Sequence, residues 1–205
     1  MTLFLIALCS FAIGSIPFGY LIGQVLYRKD IRAHGSGNIG AMNALRSLGK
    51  KGAAAVLILD AAKGFAPAFY VLAHGYGDVA ASIAAAAAIA GHCFSPWLKG
   101  RGGKGVATSF GAIFALNGYA GGIAVLGWIA GALATQYSSV GSIFASLLAP
   151  IALYVFSYGS EAESLYGVFA LLLIVYTHRE NIARLREGTE NPIRLSGAGS
   201  HDIVK

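Results

Sequence analysis

Long apolar stretches broken by short polar connections organise this chain. Apolar runs cover residues 3–26, 52–73, 79–98, 106–117, 119–135, 140–158 and 165–177. Runs of about 20 apolar residues predict helices whose solvent is lipid. The pattern therefore predicts an all-α integral membrane protein with seven transmembrane helices. Runs 106–117 and 165–177 are short. A helix of about 12–14 residues spans only ~20 Å, less than the ~30 Å apolar core of a bilayer. These two must recruit flanking residues or leave the membrane locally thinned. Asn117-Gly118 is the one turn signal that separates 106–117 from 119–135. The first run has no basic leader and is too long for a signal peptide, so it is expected to stay as a helix.

Composition agrees with lipid as solvent. Of 205 residues, 56% are hydrophobic and 12% charged, against about 25% charged in soluble domains. Mean hydropathy is +0.65. Residues 1–205 are expected to form one polytopic domain with a short tail from about 179 to 205. Two separated cysteines, Cys9 and Cys93, make neither a metal framework nor a disulfide pattern. No metal and no cofactor are expected. The alanine-rich stretch 80–90 favours close approach of a neighbouring helix.

The placement of charge orients the chain. The connection 27–51 carries Arg28, Lys29, Arg32, Arg46, Lys50 and Lys51. The connection 98–105 carries Lys99, Arg101 and Lys104, and the tail carries Arg179, Arg184, Arg186, Arg194 and Lys205. The connections near His74, Asn117, Gln136 and Glu161 carry no Lys or Arg. Only odd-numbered connections and the tail are basic, which by the positive-inside rule puts the N-terminus outside and the C-terminus in the cytoplasm. A net charge of +6 suits both this anchoring and binding of an anion. The cations are divided among short loops, which argues against nucleic acid as a partner.

Three polar motifs fall at the basic face. In the first, Gly35-Ser36-Gly37-Asn38-Ile39-Gly40 matches a dinucleotide-binding fingerprint in form only, because no strand precedes it. The glycines instead allow backbone N–H groups to converge on an anion. Ser36 adds a hydroxyl, Asn38 and Asn43 add amide donors, and Arg46 can hold a phosphate through two N–H groups. In the second, Gly100-Arg101-Gly102-Gly103-Lys104-Gly105 leads into helix 106–117, whose N-terminus also favours an anion. It is no Walker loop, since Gly105 stands where a magnesium-binding hydroxyl would be. Lys104 is the foremost candidate phosphate ligand. In the third, His178 and Asn181 are placed to share a helical face, with Arg184 and Arg186 following. Asp60 and Lys63, one turn apart in an apolar helix, are placed to pair with each other or to face a cavity.

Together these motifs resemble those of the bacterial acyl-phosphate-dependent glycerol-3-phosphate acyltransferases, over about residues 10–190. The pattern G-S-G-N-x-G-A-T-N-x-x-R appears at 35–46, with Met42 in place of Thr. The pattern G-H-x-F-x-x-F-x-x-F-K-G-G-K-G-V-A-T appears at 91–108, with Trp97 for Phe and Gly100-Arg101 for Phe-Lys. The pattern H-x-x-N-I-x-R-L-x-x-G-x-E appears from His178 to Glu190. The resemblance implies acyl transfer from acyl phosphate to the 1-hydroxyl of glycerol 3-phosphate, giving 1-acyl-glycerol 3-phosphate for phospholipid synthesis. It implies a seven-helix protein of the bacterial inner membrane with a cytoplasmic site. Ser36, Arg46, Lys104, Ser142, His178 and Asn181 would then bind glycerol 3-phosphate. Gly102, Gly103, Lys104 and Gly105 would cradle the acyl phosphate, and Lys104, His178 and Asn181 would stand at the reacting atoms. For Ser142, the neighbouring Ser138 and Ser139 are competitors.

Acyl phosphate is an activated anhydride, so the expected chemistry is positioning and charge stabilisation. No His-x-x-x-x-Asp dyad is present. The base is either His178 or the substrate phosphate, with the substrate preferred. Expected partners are the two substrates, the bilayer and the enzyme that supplies acyl phosphate, with the chain a monomer or weak oligomer. The rival function is a small transporter for organic anions, using Asp60 and Lys63 along a path. Against it, the suspected ligands gather at one face rather than the midplane.

Overall fold

Every predicted apolar run is helical in the computed structural model, which describes residues 1–193. Arg194 and Lys205, counted among the basic residues of the tail, lie outside the described residues. The helices are α1 (Thr2–Gly14), α2 (Phe18–Tyr27), α3 (Ala41–Ala73), α4 (Gly77–Cys93), α5 (Val106–Leu116), α6 (Gly118–Thr135), α7 (Ser138–Phe156), α8 (Glu161–Thr177) and α9 (Arg179–Arg186). Short 3₁₀ turns occupy Ile31–Ala33 and Pro96–Leu98.

Three boundaries differ from expectation, each for a local reason. The first run is two helices. Pro17 has no N–H to continue the ladder, and the Ser15 hydroxyl donates to Ala12 O at 2.7 Å, turning the chain between α1 and α2. Helix α3 begins at Ala41 rather than near 52, so the second half of the first polar motif is helical and not a loop. Gly49, at φ 79° and ψ −174°, kinks it there, which only glycine does at little cost. Finally, α8 stops at Thr177 and α9 restarts at Arg179, so His178 caps one helix and opens the next. The break at Asn117 is real. Its side chain accepts hydrogen bonds from Tyr119 N (3.0 Å) and Ala120 N (3.1 Å), capping α6.

Among the described residues, five segments are long and apolar enough to cross a bilayer: Thr2–Tyr27, Ala41–Ala73, Gly77–Leu98, Gly118–Thr135 and Ser138–Phe156. Helix α5, with 11 residues, is ~16 Å long and does not cross alone. Large apolar side chains such as Phe4, Ile58, Leu126, Ile151 and Leu172 are exposed around the bundle, as a lipid-facing surface requires. Small residues make up much of the core, beside larger ones such as Ile89, Ile113, Leu153 and Tyr166. Ala81, Ala84, Ala85 and Ala88 on α4 are fully buried. Helices α3 and α5 cross so closely that a Cβ on Gly64 would lie 1.9 Å from Thr108 O, and one on Gly111 1.9 Å from Ala61 O.

Polar contacts sort the connections between two ends. Asn117 donates to Phe156 O at 2.9 Å, and Ser160 to Asp78 at 3.1 Å. The α3–α4, α5–α6 and α7–α8 connections therefore share one end. At the other end Arg46 reaches Asn191, Lys104 reaches Asn181, and Ile193 N donates to Gln136 O at 2.7 Å. Helix α1 runs from Ile6, packed near Ala80, to Gly14, packed on Ala88. Its start thus lies at the end opposite the three polar motifs.

Candidate active site

The first motif folds around Asn43, which is 2% exposed. Its Nδ2 donates to Ile31 O (2.8 Å) and Asn38 O (2.7 Å), and its Oδ1 accepts from Ser36 N (3.0 Å). Gly35 sits at φ 58°, where a Cβ would lie 2.3 Å from Asn43 Oδ1, so this position requires glycine. Half of the backbone donors at 35–40 are occupied. Gly37 N donates to His34 O (3.0 Å) and Gly40 N to Asn38 Oδ1 (2.9 Å). Three of the six N–H groups of the expected anion nest at 35–40 are therefore taken by the chain itself. Asn43 is a brace, with its amide donors committed internally. Ser36, Asn38 and Arg46 remain facing the cavity.

The second motif differs in a similar way. Gly100 N, Arg101 N, Gly102 N and Gly103 N donate to Ser95 O, Leu98 O, Cys93 O and His92 O at 2.9–3.1 Å. Gly102 and Gly103 pack against the end of α4 and do not line the cavity. Lys104, Gly105, Val106 and Ala107 line it instead. Gly105, at φ 85°, starts α5. The first N–H groups of a helix have no partner within it, so this end of α5 presents free donors and a positive dipole end to the cavity.

The third motif completes the polar wall. Nδ1 of His178 lies 2.8 Å from Ile174 O. A carbonyl only accepts, so Nδ1 carries the proton and Nε2 is left as an acceptor. Burial, together with the nearby Lys104 charge, pulls the His178 pKa down to about 4, so the ring is neutral at pH 7. Lys104 Nζ donates to Asn181 Oδ1. Burial, with the Arg184 charge next, lowers the Lys104 pKa to about 8. Asn181 Nδ2 donates to Glu190 Oε1 at 2.6 Å, Ser139 donates to the same oxygen at 3.0 Å, and Arg184 Nε donates to Oε2 at 2.8 Å. Burial raises the Glu190 pKa, but the hydrogen bonds from Asn181, Arg184 and Ser139 outweigh it and hold the carboxyl below its ordinary value. Arg46 donates to Asn191 O and Pro192 O at 3.3 Å. Ser142, rather than Ser139, has its hydroxyl beside Trp128 Nε1 (3.2 Å), while donating to Ser138 O (2.8 Å).

These groups line one cavity of about 500 Å³. Its polar end holds Ser36, Asn38, Arg46, Lys104, Ser142, His178, Asn181 and Arg184. Its other end is apolar, formed by Leu57, Ala61 from α3, Phe110, Gly111, Phe114 from α5, and Val125, Ile129 from α6. Leu57, Phe114 and Ile129 are also 49%, 41% and 40% exposed, so this end opens on the lipid-facing surface. Glu190 was not among the sequence candidates, Ser139 entered only as a competitor for Ser142, and Arg184 only as a cation following the third motif. The signal for Glu190 was a lone acid ending a basic motif. Among the described residues, no group of three or more His, Cys, Asp or Glu is placed to hold a metal.

A family profile described as glycerol-3-phosphate acyltransferase matches residues 4–188. The chain belongs to this family. A glycerol-3-phosphate acyltransferase of Pelagibacter ubique is 41% identical over 195 residues, covering 95% of this chain and 100% of the relative. One of Brucella suis is 46% identical over 187 residues, covering 91% of each chain. The crystal structure of PlsY (YgiH), an integral membrane glycerol 3-phosphate acyltransferase in its glycerol 3-phosphate form, is 34% identical with a TM-score of 0.89, covering 95% of this chain and 96% of that one. Its lysophosphatidic acid form is 32% identical with a TM-score of 0.87, at the same coverage. In this acyltransferase-family chain the three polar motifs meet at one end of the bundle. Of the two residues expected along a transporter's path, Asp60 lines this cavity and Lys63 does not. Those two side chains pair with each other at 2.8 Å.

Proposed function

We propose that the chain transfers a fatty acyl group from acyl phosphate to the 1-hydroxyl of glycerol 3-phosphate, releasing 1-acyl-glycerol 3-phosphate and phosphate. The observation that carries this is the two-ended cavity, in which a cationic pocket runs directly into an apolar groove. A phosphorylated head and a fatty chain fit the two ends at once. Membership in the acyltransferase family, and relatives named for glycerol 3-phosphate, support the same substrate.

Arg46, Arg184 and Lys104 offset the repulsion between two phosphorylated substrates held in one pocket. The free N–H groups at the start of α5 face the developing oxyanion of the attacked carbonyl, where preorganised donors stabilise charge most. The hydroxyl oxygen bonds to the acyl carbon, the carbon–oxygen bond to phosphate breaks, and phosphate leaves. The proton goes to a substrate phosphate. With a pKa of about 4, the His178 ring is a weak base, whereas a phosphate monoester has a second pKa near 6. Nε2 of His178 accepts from substrate and orients it, and Asn181 aligns Lys104.

On this reading the end bearing the site faces the cytoplasm of a bacterial inner membrane, with seven passes, the N-terminus outside and the C-terminus inside, and the basic connections at that end support the orientation. Purified protein in detergent, given acyl phosphate and labelled glycerol 3-phosphate, is expected to form labelled lysophosphatidate and one phosphate per turnover. Acyl-CoA at the same concentration is expected to give little product. Product from acyl-CoA alone overturns the donor assignment, and uptake into vesicles without product overturns acyl transfer.

A further inference from the structure

Two buried side chains at the edge of the cavity have no part in the chemistry above. Asp60 on α3 is 1% exposed and His92 on α4 is 3% exposed, and both contribute to the cavity lining. We propose that Asp60 and His92 form a positioning pair that sets the 102–105 glycine loop, and through it Lys104 and the start of α5, for the acyl donor. The proposal rests on the reading that acyl phosphate binds beside that loop.

His92 holds the loop by both backbone and ring. Its carbonyl accepts from Gly103 N at 3.0 Å, and the adjacent Cys93 carbonyl accepts from Gly102 N at 3.0 Å. Its imidazole lies against Gly103 with Nε2 foremost, so that a Cβ there would come within 2.1 Å of Nε2 and 2.6 Å of Cε1. The ring therefore sets how far the loop can settle toward α4. On the other side, Nδ1 lies 3.7 Å from Asp60 Oδ1. The His92 nitrogen has no directed hydrogen bond among the described residues. A buried polar atom without a partner is uncommon, and the group this one faces is the Asp60 carboxylate. A small ring rotation brings them within hydrogen-bond range. The proton is then held on Nδ1, and the Nε2 edge is presented to Gly103. Asp60 is itself anchored. Lys63 Nζ lies 2.8 Å from its Oδ1 and donates to Ile16 O, also at 2.8 Å, at the corner between α1 and α2. The chain of contacts runs Ile16, Lys63, Asp60, His92, Gly103. It ties the glycine loop to three helices, the kind of support that keeps a binding loop at fixed geometry.

Steady-state kinetics on the full chain in detergent test the pair, with acyl phosphate and glycerol 3-phosphate varied separately. His92→Phe and Asp60→Asn are expected to raise KM for acyl phosphate about tenfold, and to change KM for glycerol 3-phosphate less than twofold. His92→Gln, which keeps a hydrogen-bonding edge, is expected to recover most of that loss. Gly103→Ala, which pushes on the ring without touching Asp60, is expected to give the same selective rise, and serves if the buried variants do not fold. Equal rises in both KM values, or a fall in kcat with both KM values unchanged, overturn the pair. Wild-type protein that uses a different acyl donor overturns the donor reading alone, and the pair is then judged on the KM of that donor.

Discussion

Lys104 concentrates the chemistry at the residue scale. Its ammonium is desolvated, hydrogen-bonded to Asn181 and set at the end of α5 where phosphate would sit. Lys104→Ala is expected to lower kcat/KM by at least about 10³, because a charge-assisted contact worth several kcal/mol is lost from a water-poor site, as read in the coupled phosphate-release assay. With its pKa near 8, the cation is present below that pH and fades above it. Activity is expected to fall as pH rises through about 8, and Lys104→Arg to flatten that alkaline limb in a pH–rate profile. His178→Ala separates positioning from proton transfer. A loss of about tenfold in kcat fits a neutral orienting ring, whereas general bases contribute about 10²–10⁴, and a loss of about 10³ makes the ring the base. The residues with unusual chemistry in an apolar background, Arg46, Lys104, His178 and Asn181, were legible in the sequence. Asn43 was legible as important but not as a brace, because that depends on which way a helix start faces. Glu190 was not legible as a hub. Its donors Ser139, Asn181 and Arg184 lie 51, 9 and 6 residues away, and nothing local announces their meeting.

The same hub joins elements, for Glu190 ties the start of α7 to α9. Glu190→Gln is expected to cost ~3 kcal/mol, since it weakens three hydrogen bonds and strands the Arg184 charge, as read by thermal unfolding in detergent. The carboxyl pKa is held below its ordinary 4.5. Its stabilising contribution is therefore complete above 4.5 and disappears as pH falls through its own, lower value. The groove between α3, α5 and α6 carries a separate prediction. Phe114 packs on Gly121, whose Cβ would meet the ring at 2.6 Å, and it narrows the apolar end. Phe114→Ala is expected to shift the preference toward longer acyl phosphates. Each further methylene buried contributes ~0.8 kcal/mol, about fourfold in affinity, so competition between donors of different length reads the change. At this scale the apolar runs marked where helices lie, but seven runs became nine helices among the described residues, the first run splitting near Pro17 and α9 following α8 after His178. The early start of α3 was hidden because Gly49 and the lysines after it look like a loop. The break after Ser15 was hidden because the apolar pattern runs through it unchanged.

Across the whole molecule, the connections divide cleanly into two ends, with the cations concentrated at one. Single cysteines beside Arg46, Lys104 and Asn181, in a background lacking Cys9 and Cys93, are expected to react with impermeant reagent only from the cytoplasmic side, and a cysteine beside Tyr76 only from outside. The three motifs, spread over more than a hundred positions of the chain, meet because helix pairs such as α3–α5 and α6–α7 pack through small residues and hold the ends level.

That the greasy half of the cavity has a side door, flanked by Leu57, Phe114 and Ile129, bears on how the enzyme is supplied. A fatty donor can arrive by diffusing within its own leaflet, and the newly made lysolipid can slide out the same way without entering water. Turnover would then follow the two-dimensional density of donor in the membrane. Diluting vesicles in buffer at constant lipid composition would leave the acyl-donor dependence unchanged, while the water-soluble acceptor would still be felt through its bulk concentration.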